Sequence, residues 1–390
     1  MTRPPRILLS AGEASGDRLG AGLARAILRR RPDAELLGMG GDEMAAAGVR
    51  LVQHASEVAV MGFFEVLTHL PALRGAMARL ERCLSEEPPD LVVPIDFPDF
   101  NLRLAERAHR CEIPVVYYVS PQIWAWRKRR VVRIKRLVRR MLVLFPFETG
   151  FYEGEGVPVT FVGHPAVERT AGPYDRDALL GGAGLDPARE VVALVPGSRR
   201  FEIERILPTL LRSAEIVQAR RNEVQFVIPL AGTVPRTLVE ARVRSAGLSD
   251  TVIHGAGFPE ILGACQAGAV ASGTASLEAA LVGLPMVVVY RVRWPSYLLA
   301  RALVRVEHAA LPNLVAGRRI VPELIQHELR PEAVAGHLLG YLESPDRASA
   351  VRNDLEEVRR RLGEPGAFDR AADAVLAEIG SGRDESAAPS

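Results

Sequence analysis

Residues 193–199 read Ala-Leu-Val-Pro-Gly-Ser-Arg and close an apolar run that begins at Val191. Further along the chain, residues 272–278 read Ser-Gly-Thr-Ala-Ser-Leu-Glu and follow a second apolar run. Small residues where a strand passes into a helix expose backbone N–H groups at the positive end of the helix dipole, where phosphates commonly bind. Either motif alone could be an ordinary turn with a helix cap. Together they predict a site for a nucleotide diphosphate in one half of the chain.

The predicted nucleotide site combines backbone N–H groups with a few side chains. Arg199 offers a permanently charged, forked pair of donors. Glu278 lies in the first turn of its predicted helix, where its carboxylate could accept hydrogen bonds from the two hydroxyls of a ribose. The residues predicted to bind the nucleotide are Gly197, Ser198, Arg199, Ser272, Gly273, Thr274, Glu278 and Asn313.

The composition is that of a well-cored globular protein. The length of 390 residues predicts two to three domains. The chain is 48% hydrophobic and 25% charged with a net charge of +2, which is ordinary for a globular protein. No stretch is apolar for long enough to span a bilayer, and residues 1–6 lead into the first apolar run without a signal-peptide core. We therefore expect a cytoplasmic protein. The 3 cysteines are widely spaced without a Cys-x-x-Cys pair, which predicts reduced thiols rather than disulfides or a zinc site.

Short runs rich in Val, Ile and Leu alternate with helical patterns, which is typical of parallel sheets covered by helices. The predicted strands are residues 7–9, 36–38, 91–95, 115–119, 141–145 and 160–162, then 191–195, 224–228, 251–253, 269–271 and 286–289. The predicted fold class is α/β, with two Rossmann-like, doubly wound domains that face a central cleft. The predicted divisions are a first domain at 1–165, a second at 166–345, C-terminal helices at 346–380 and a disordered tail at 381–390.

The loop after the first predicted strand consists of small residues. Residues 10–17 read Ser-Ala-Gly-Glu-Ala-Ser-Gly-Asp and lead into a helix that we expect to begin near Asp17. The glycines lack the spacing of a dinucleotide fingerprint, which disfavours a nicotinamide cofactor. The loop could instead hold a sugar or its phosphate, with Glu13 or Asp17 accepting from hydroxyls. A plain turn with an aspartate helix cap is the alternative.

Two carboxylates follow the predicted strand 91–95. Asp96 comes directly after the strand, where partial burial would raise its pKa toward that of a general base. Asp99 precedes the next predicted helix and could be only its cap. The pattern favours Asp96 as the catalytic base, with an ordinary aspartate at a strand end as the alternative.

A third polar group lies near residue 320. Asn313, Glu323 and Gln326 fall in one short region, and their amide and carboxylate groups could bind a sugar or a phosphate. A capped helix that begins near Pro322 would explain part of this pattern.

Two segments point to a lipid partner. Residues 58–67 are unusually apolar for a region outside the strands, and Trp124-Ala125-Trp126 precedes a strongly cationic block at 127–140. Tryptophan, arginine and apolar residues together suit an interface with anionic lipid. A core helix and a solvated charged face are the alternatives. Nucleic acid is the other electrostatic possibility, which the scarcity of aromatic residues within the block disfavours.

Eight motifs, in order along residues 6–345, closely resemble the lipid-A-disaccharide synthase family. They are residues 12–17, 59–62, 95–101, 118–127, 161–165, 196–199, 272–278 and 311–314. The resemblance implies the GT-B fold and an inverting glycosyltransferase. Its reaction would condense UDP-2,3-diacylglucosamine with 2,3-diacylglucosamine 1-phosphate (lipid X) to give UDP and the β-1,6 lipid A disaccharide 1-phosphate. Another UDP-GlcNAc-using GT-B enzyme, either a transferase or a 2-epimerase, is the alternative.

The resemblance also implies roles for individual residues. Asp96 would deprotonate the acceptor 6-hydroxyl, while Arg199 and the helix start at 272–274 would stabilise the departing UDP. The acceptor would contact Gly12, Glu13, Ser15, Asp17 and Asp99. The acyl chains or the membrane would contact Met61, Phe63, Phe64, Trp124, Trp126 and Arg127.

The implied partners are the two lipid substrates and the anionic surface of the inner membrane, with which a cytoplasmic protein would associate peripherally. A homodimer is compatible with the resemblance. No cofactor, no metal and no nucleic acid are expected.

Overall fold

The computed structural model describes residues 3–58, 70–121, 123, 130–172, 174–230, 234–255, 257–292 and 307–384. The chain divides into two compact units. The first comprises Met1–Pro165 with Gly363–Ser390, and the second comprises Ala166–Leu362. Each unit contains one parallel sheet with helices, so the predicted α/β class with two doubly wound sheets is confirmed.

The first unit is built on a parallel sheet that has seven strands in the described part of the chain. Its strands are β1 (Arg6–Ala11), β2 (Glu35–Gly40), β3 (Arg50–His54), β4 (Leu91–Ile95), β5 (Val116–Tyr118), β6 (Arg140–Val143) and β7 (Val159–Phe161). They lie in the order β3-β2-β1-β4-β5-β6-β7. The helices are α1 (Ala14–Arg30), α2 (Asp42–Ala46), α3 (Leu70–Glu86), α4 (Pro98–Arg110), α5 (Arg130–Leu137) and α6 (Pro146–Gly154), with a 3₁₀ turn at Ala55–Glu57.

The central strands of this sheet are buried on both faces. In β1, Leu8 packs into the core on one side, while Ile7 and Leu9 pack into the core on the other side. This alternation follows from the two-residue period of a strand. It explains why the central strands read as uninterrupted apolar runs.

The second unit repeats the same architecture. Its strands are β8 (Val191–Val195), β9 (Gln225–Pro229), β10 (Thr251–His254), β11 (Ala267–Ala271), β12 (Met286–Tyr290) and β13 (Glu323–Ile325). They are parallel and lie in the order β10-β9-β8-β11-β12-β13. The helices are α7 (Ala166–Arg169), α8 (Arg176–Gly182), α9 (Arg200–Arg220), α10 (Arg236–Ser245), α11 (Phe258–Gly263), α12 (Thr274–Leu281), α13 (Leu311–Ala316), α14 (Pro331–Glu343) and α15 (Pro345–Arg361).

Two edge strands differ from the sequence-based expectation. Strand β3 was not predicted, because its sequence Arg-Leu-Val-Gln-His is half polar and only partly buried. Strand β13 occupies the region near Pro322 where a capped helix was the alternative explanation of the polar residues, and that alternative is wrong. Each lies at the edge of its sheet as described, with a neighbouring strand on one side only. An edge strand is less buried than a central one, so its sequence need not be an apolar run.

The chain returns to the first unit at its carboxyl end. Helix α16 (Ala367–Asp384) packs there, with Ala371, Ala372 and Val375 fully buried in the core beside β1 and α1. Helix α15 belongs to the second unit, so residues 346–380 do not form a segment of their own. Helix α16 also continues through residues 381–384, where the predicted disordered tail was expected to begin.

Both sheets place their topological switch point in the same way. The chain leaves β1 toward one edge and later returns to begin β4 on the other side of β1, and β8 and β11 repeat this relation. Loops at the carboxyl ends of two such strands splay apart, and ligands of open α/β sheets bind there. We therefore expect the candidate site residues in the loops after β1, β4, β8 and β11.

Candidate active site

Asp96 directly follows β4 at the switch point of the first sheet. Its backbone N–H donates to the Tyr118 carbonyl oxygen at 3.1 Å, so it continues the ladder by one residue. Both Asp96 and Phe97 have a φ of +48°, in the left-handed region that side chains rarely adopt. The chain turns sharply there and enters α4, which leaves the Asp96 side chain partly buried at the strand end.

The Asp96 carboxyl has a strongly shifted pKa. Burial raises it, the nearby Glu13 carboxylate raises it further, and a hydrogen bond from the Phe97 backbone partly offsets both effects. The result is a pKa of about 6 instead of 3.8. A carboxylate with this value is ionised at neutral pH and remains basic enough to accept a proton from a hydroxyl.

The shift has a consequence for stability that Asp96→Asn would reveal. Because the folded pKa lies above the unfolded one, the folded chain holds the proton to higher pH, and stability is lost as pH rises from 3.8 to about 6. We expect Asp96→Asn to raise the free energy of unfolding at pH 8 by about 1–3 kcal/mol. Urea denaturation at pH 8 and pH 4.5 would measure this. An equal change at both pH values would contradict a raised pKa as its cause.

The loop after β1 lies next to Asp96. Glu13 and Ser15 are exposed at the start of α1. Gly12 is buried against the Phe97 ring, and a Cβ at Gly12 would lie only 2.3 Å from Cδ1 of Phe97. Gly12 is therefore the residue that allows the loop after β1 and the turn after β4 to approach each other. The structure thus brings Gly12 and Glu13 together with the Asp96–Phe97 turn, while Ser15 lies in the first turn of α1.

Two other predicted acceptor residues lie in different surroundings. Asp17 is buried, and its carboxylate accepts hydrogen bonds from the backbone N–H groups of Gly41, Glu43 and Met44 at 2.7–3.1 Å. It therefore caps α2, and the expectation that α1 begins near Asp17 is wrong, since α1 begins at Ala14. Asp99 is exposed in the first turn of α4 and forms an ion pair with Arg130.

In the turn after β8, a carboxylate of the protein itself binds the backbone N–H groups. Gly197 has a φ of +116°, and Oε2 of the buried Glu202 accepts from the N–H groups of Ser198 at 2.9 Å and Arg199 at 3.1 Å. The N-terminus of α9 is thus already capped by a carboxylate of the same helix. Glu202 received no role from the sequence, although a glutamate three residues after the N-cap is the signal of a capping box. The Arg199 side chain remains 68% exposed.

The turn after β11 is open. Gly273 is the N-cap of α12, with a φ of +131°, and within the described ranges no side-chain hydrogen bond caps this helix start. Among the described residues, no atom lies within 4 Å of the position that a Cβ of Gly273 would occupy. Thr274 is exposed at the first position of the helix. The exposed backbone N–H groups and the positive end of the helix dipole are thus available to an anion here.

A buried network holds the loop beside this turn. Ser272 Oγ donates to the Ala309 carbonyl at 2.8 Å, and the Glu323 carboxylate accepts from the backbone of Ala309 and Ala310. Asn313 is fully buried and donates to Glu323 at 2.7 Å. Its amide also bonds to the backbone of residues 320 and 321. The Asn313 amide is therefore fully engaged within the protein.

Two further carboxylate and amide groups are also engaged. The Glu278 side chain is 12% exposed and forms an ion pair with Arg169. The Gln326 side chain bonds to both backbone groups of Val292 and so closes the end of β12.

The predicted lipid contacts fall outside the described residues. These are Met61, Phe63, Phe64, Trp124, Trp126 and Arg127. In the described ranges, no helix has the length and apolar character needed to cross a membrane. Nor do three or more His, Cys, Asp or Glu side chains of these ranges group as metal ligands would.

Solved structures with the same architecture are GT-B enzymes. The glycotransferase of kitacinnamycin matches with a TM-score of 0.65 at 19% identity, over 97% of this chain and 100% of that one. The UDP-GlcNAc 2-epimerase from Neisseria meningitidis, bound to UDP-GlcNAc, matches with a TM-score of 0.64 at 12% identity, over 96% of this chain and 100% of that one. At such identities the likeness defines the fold, and the predicted GT-B class is confirmed.

Sequence relatives define the family. The family model described as lipid-A-disaccharide synthetase matches residues 7–378. A relative from Geobacter metallireducens, named lipid-A-disaccharide synthase, is 44% identical over 378 residues, which cover 97% of this chain and 98% of the relative. The chain belongs to the lipid-A-disaccharide synthetase family, so it is a glycosyltransferase of lipid A biosynthesis and the resemblance drawn from its motifs is confirmed. The alternative of a UDP-GlcNAc 2-epimerase is disfavoured, because the epimerase shares only the fold.

Proposed function

We propose that this protein transfers a 2,3-diacylglucosaminyl group from UDP to the 6-hydroxyl of 2,3-diacylglucosamine 1-phosphate. The products are UDP and the β-1,6-linked lipid A disaccharide 1-phosphate. Family membership supplies the reaction. The observation that carries the mechanism is Asp96, a partly buried carboxylate whose pKa is raised to about 6 at the switch point of the first sheet.

Asp96 acts as general base in a single displacement. As the acceptor O6 attacks the anomeric carbon, the O6 proton passes to the Asp96 carboxylate and the new C1–O6 bond forms. The bond from C1 to the β-phosphate oxygen breaks, and UDP leaves with that electron pair. One displacement inverts the anomeric configuration, which gives the β linkage from an α-linked donor.

The leaving UDP is stabilised mainly at α12. Its diphosphate would accept hydrogen bonds from the N–H groups that follow Ser272, at Gly273 and Thr274, since this helix start is uncapped. Arg199 adds charge, because its exposed guanidinium extends from a turn that Gly197, Ser198 and Glu202 shape. The α9 N-terminus contributes less than expected from the sequence, since Glu202 occupies it.

Glu278 and Asn313 would contribute to the nucleotide site in different ways. Glu278 would accept from the ribose hydroxyls in exchange for its ion pair with Arg169. Asn313 would position the loop beside α12, because its own amide is engaged.

The acceptor binds at the loop after β1. Gly12 and Glu13 lie beside the Asp96–Phe97 turn, and we expect Ser15 at the start of α1 and Asp99 at the start of α4 to bind the acceptor as well. Asp17 would support the site indirectly by capping α2.

The test is acceptor-dependent release of UDP. The full chain is incubated in detergent micelles with UDP-2,3-diacylglucosamine, with and without 2,3-diacylglucosamine 1-phosphate, and UDP and the disaccharide are both quantified. Equal amounts of UDP and disaccharide, formed only with the acceptor, are the expected result. UDP released without the acceptor at the same rate, or no turnover by a chain that binds UDP, would reject the proposed reaction.

A second proposal concerns the membrane. On α5, Val132 is 73% exposed while Val131 and Ile134 are buried, and this helix carries the basic residues Arg133 and Arg136. An apolar side chain among cations suits an anionic lipid surface, and both substrates carry acyl chains. We expect α5 to contact the inner-membrane surface, together with the six predicted lipid contacts outside the described residues.

Val132→Asp should weaken this contact. A carboxylate at that position opposes anionic headgroups and removes an apolar contact, so binding to vesicles that contain phosphatidylglycerol should fall about 3-fold or more. Cosedimentation at 0.1 M salt measures it, with Val132→Thr as the uncharged control of similar shape. Unchanged binding of the aspartate variant would exclude α5 from the interface.

The predicted homodimer is a separate proposal, which sedimentation velocity of the full chain would test.

A further inference from the structure

The turn that carries Asp96 needs external support. Asp96 and Phe97 are consecutive residues with a φ of +48°, and neither is a glycine. Such a conformation costs free energy and persists only where surrounding contacts hold it. Without those contacts the backbone would relax toward an extended or helical conformation, and the Asp96 carboxylate would leave the strand end.

Asn101 is one of the residues that hold this turn. It lies in α4, is fully buried, and uses both ends of its amide. Its Oδ1 accepts from Ser10 Oγ at 2.7 Å. Its Nδ2 lies within hydrogen-bond distance of three carbonyl oxygens, those of Ser10 at 3.0 Å, Ile95 at 3.2 Å and Asp96 at 2.8 Å. Asn101 thus ties the ends of β1 and β4 together at the switch point.

Tyr117 provides a second donor to the same carbonyl. Its side chain is buried, and its hydroxyl donates to the Asp96 carbonyl oxygen at 2.7 Å from the neighbouring strand β5. The Asp96 carbonyl therefore accepts from Asn101 and from Tyr117, while the Asp96 N–H donates to Tyr118. Both backbone groups of the proposed base are therefore fixed by hydrogen bonds.

We propose that Asn101 and Tyr117 are positioning residues for the glycosyl transfer: by holding the Asp96 carbonyl, they keep the left-handed turn and present the Asp96 carboxylate to the acceptor hydroxyl. The inference rests on the proposed role of Asp96 as base. Neither residue contacts a substrate, because Asn101 is fully buried and the Tyr117 hydroxyl is used by Asp96. Neither received a role from the sequence motifs, since a buried amide and a strand tyrosine carry no catalytic signal on their own.

The chain offers a matched pair of variants to test this. Tyr117→Phe removes the hydroxyl that binds Asp96, while Tyr118→Phe removes a buried hydroxyl of the next residue, which has no hydrogen-bond partner among the described residues. Each change is made in the natural chain and in the Asp96→Asn background. Turnover, the KM for each substrate and the melting temperature are measured for all of them.

We expect Tyr117→Phe to lower kcat about 5-fold, the effect of one hydrogen bond, with the donor KM unchanged. Tyr118→Phe should leave kcat unchanged. In the Asp96→Asn background Tyr117→Phe should have no further effect on the residual rate, because a residue that acts through Asp96 has nothing left to position. Asn101→Ala should show the same dependence on Asp96 with a larger loss.

Different results would reject the positioning role of Tyr117 and the role of Asp96 as base. An equal loss from Tyr117→Phe in both backgrounds, or an equal loss from Tyr118→Phe, would mean a general structural effect and would overturn the positioning role. An unchanged kcat in Tyr117→Phe would overturn it as well. Full turnover by Asp96→Asn alone would instead reject Asp96 as the base, and the inference with it.

Discussion

Asp96→Asn should lower turnover by a factor on the order of 10² or more, while UDP-sugar affinity stays nearly unchanged. Asparagine keeps the shape of the side chain but cannot take the proton of the acceptor hydroxyl. Release of UDP in detergent micelles gives kcat, and calorimetric titration with the UDP-sugar in the absence of the acceptor gives the affinity. Because the fold should be at least as stable in this variant, the loss could not be attributed to unfolding.

Asp90→Asn is the matched control, since Asp90 and Asp96 flank the same strand. Asp90 accepts from the Arg6 backbone at 2.8 Å, a hydrogen bond that an asparagine oxygen can keep, and turnover should be unchanged. The natural chain should also lose activity below a pH of about 6, as Asp96 becomes protonated. Turnover of Asp96→Asn within a few fold of the natural chain would remove Asp96 as the base.

Thr274→Asp should weaken UDP binding by about 10-fold or more without lowering stability. The new carboxylate would sit at the uncapped start of α12, where it interacts favourably with the helix dipole and competes with the diphosphate. Two negative charges at this partly exposed site repel each other by roughly 1–2 kcal/mol. UDP titration and thermal unfolding measure the two effects separately.

Thr274→Asn separates charge from shape, because asparagine is similar in size to aspartate and remains neutral. The Thr274→Asn variant should bind UDP with an affinity within about 3-fold of that of the natural chain. It adds no negative charge at the helix start that would repel the diphosphate. If Thr274→Asp kept normal UDP affinity, the diphosphate would have to bind somewhere other than α12, and the α9 turn with Arg199 would become the better assignment.

The central strands and the loops of the candidate site could be predicted because each leaves a local signal. A strand buried on both faces must be apolar throughout, as Leu91–Ile95 shows, and small residues must follow strands that end at a phosphate site. The edge strands β3 and β13 carry no such requirement, and their polar residues gave patterns that pointed elsewhere. Helix α16 could be predicted as a helix, but its place beside α1 depends on contacts with residues more than three hundred positions away.

Within the site, sequence identified chemical groups but not how they are used. Asp96 was recognised because its position after a buried strand already predicts a raised pKa, which Glu13 then increases. Asp17 and Asn313 carry equally suitable groups, yet these are consumed by backbone partners that lie elsewhere in the fold. Glu202 received no role although its signal is local, since it lies three residues after Arg199 in the pattern of a capping box.

The return of the chain to the first unit determines the order in which the two units can fold during synthesis. Residues 166–362 form the second unit without interruption, so it can fold as soon as it has emerged from the ribosome. The first core is incomplete until Ala371, Ala372 and Val375 have been synthesised, and these residues follow the whole of the second unit in the chain. The part of the first unit that precedes residue 166, although synthesised before the second unit, therefore keeps an open apolar face until then. The first unit completes its folding after the second.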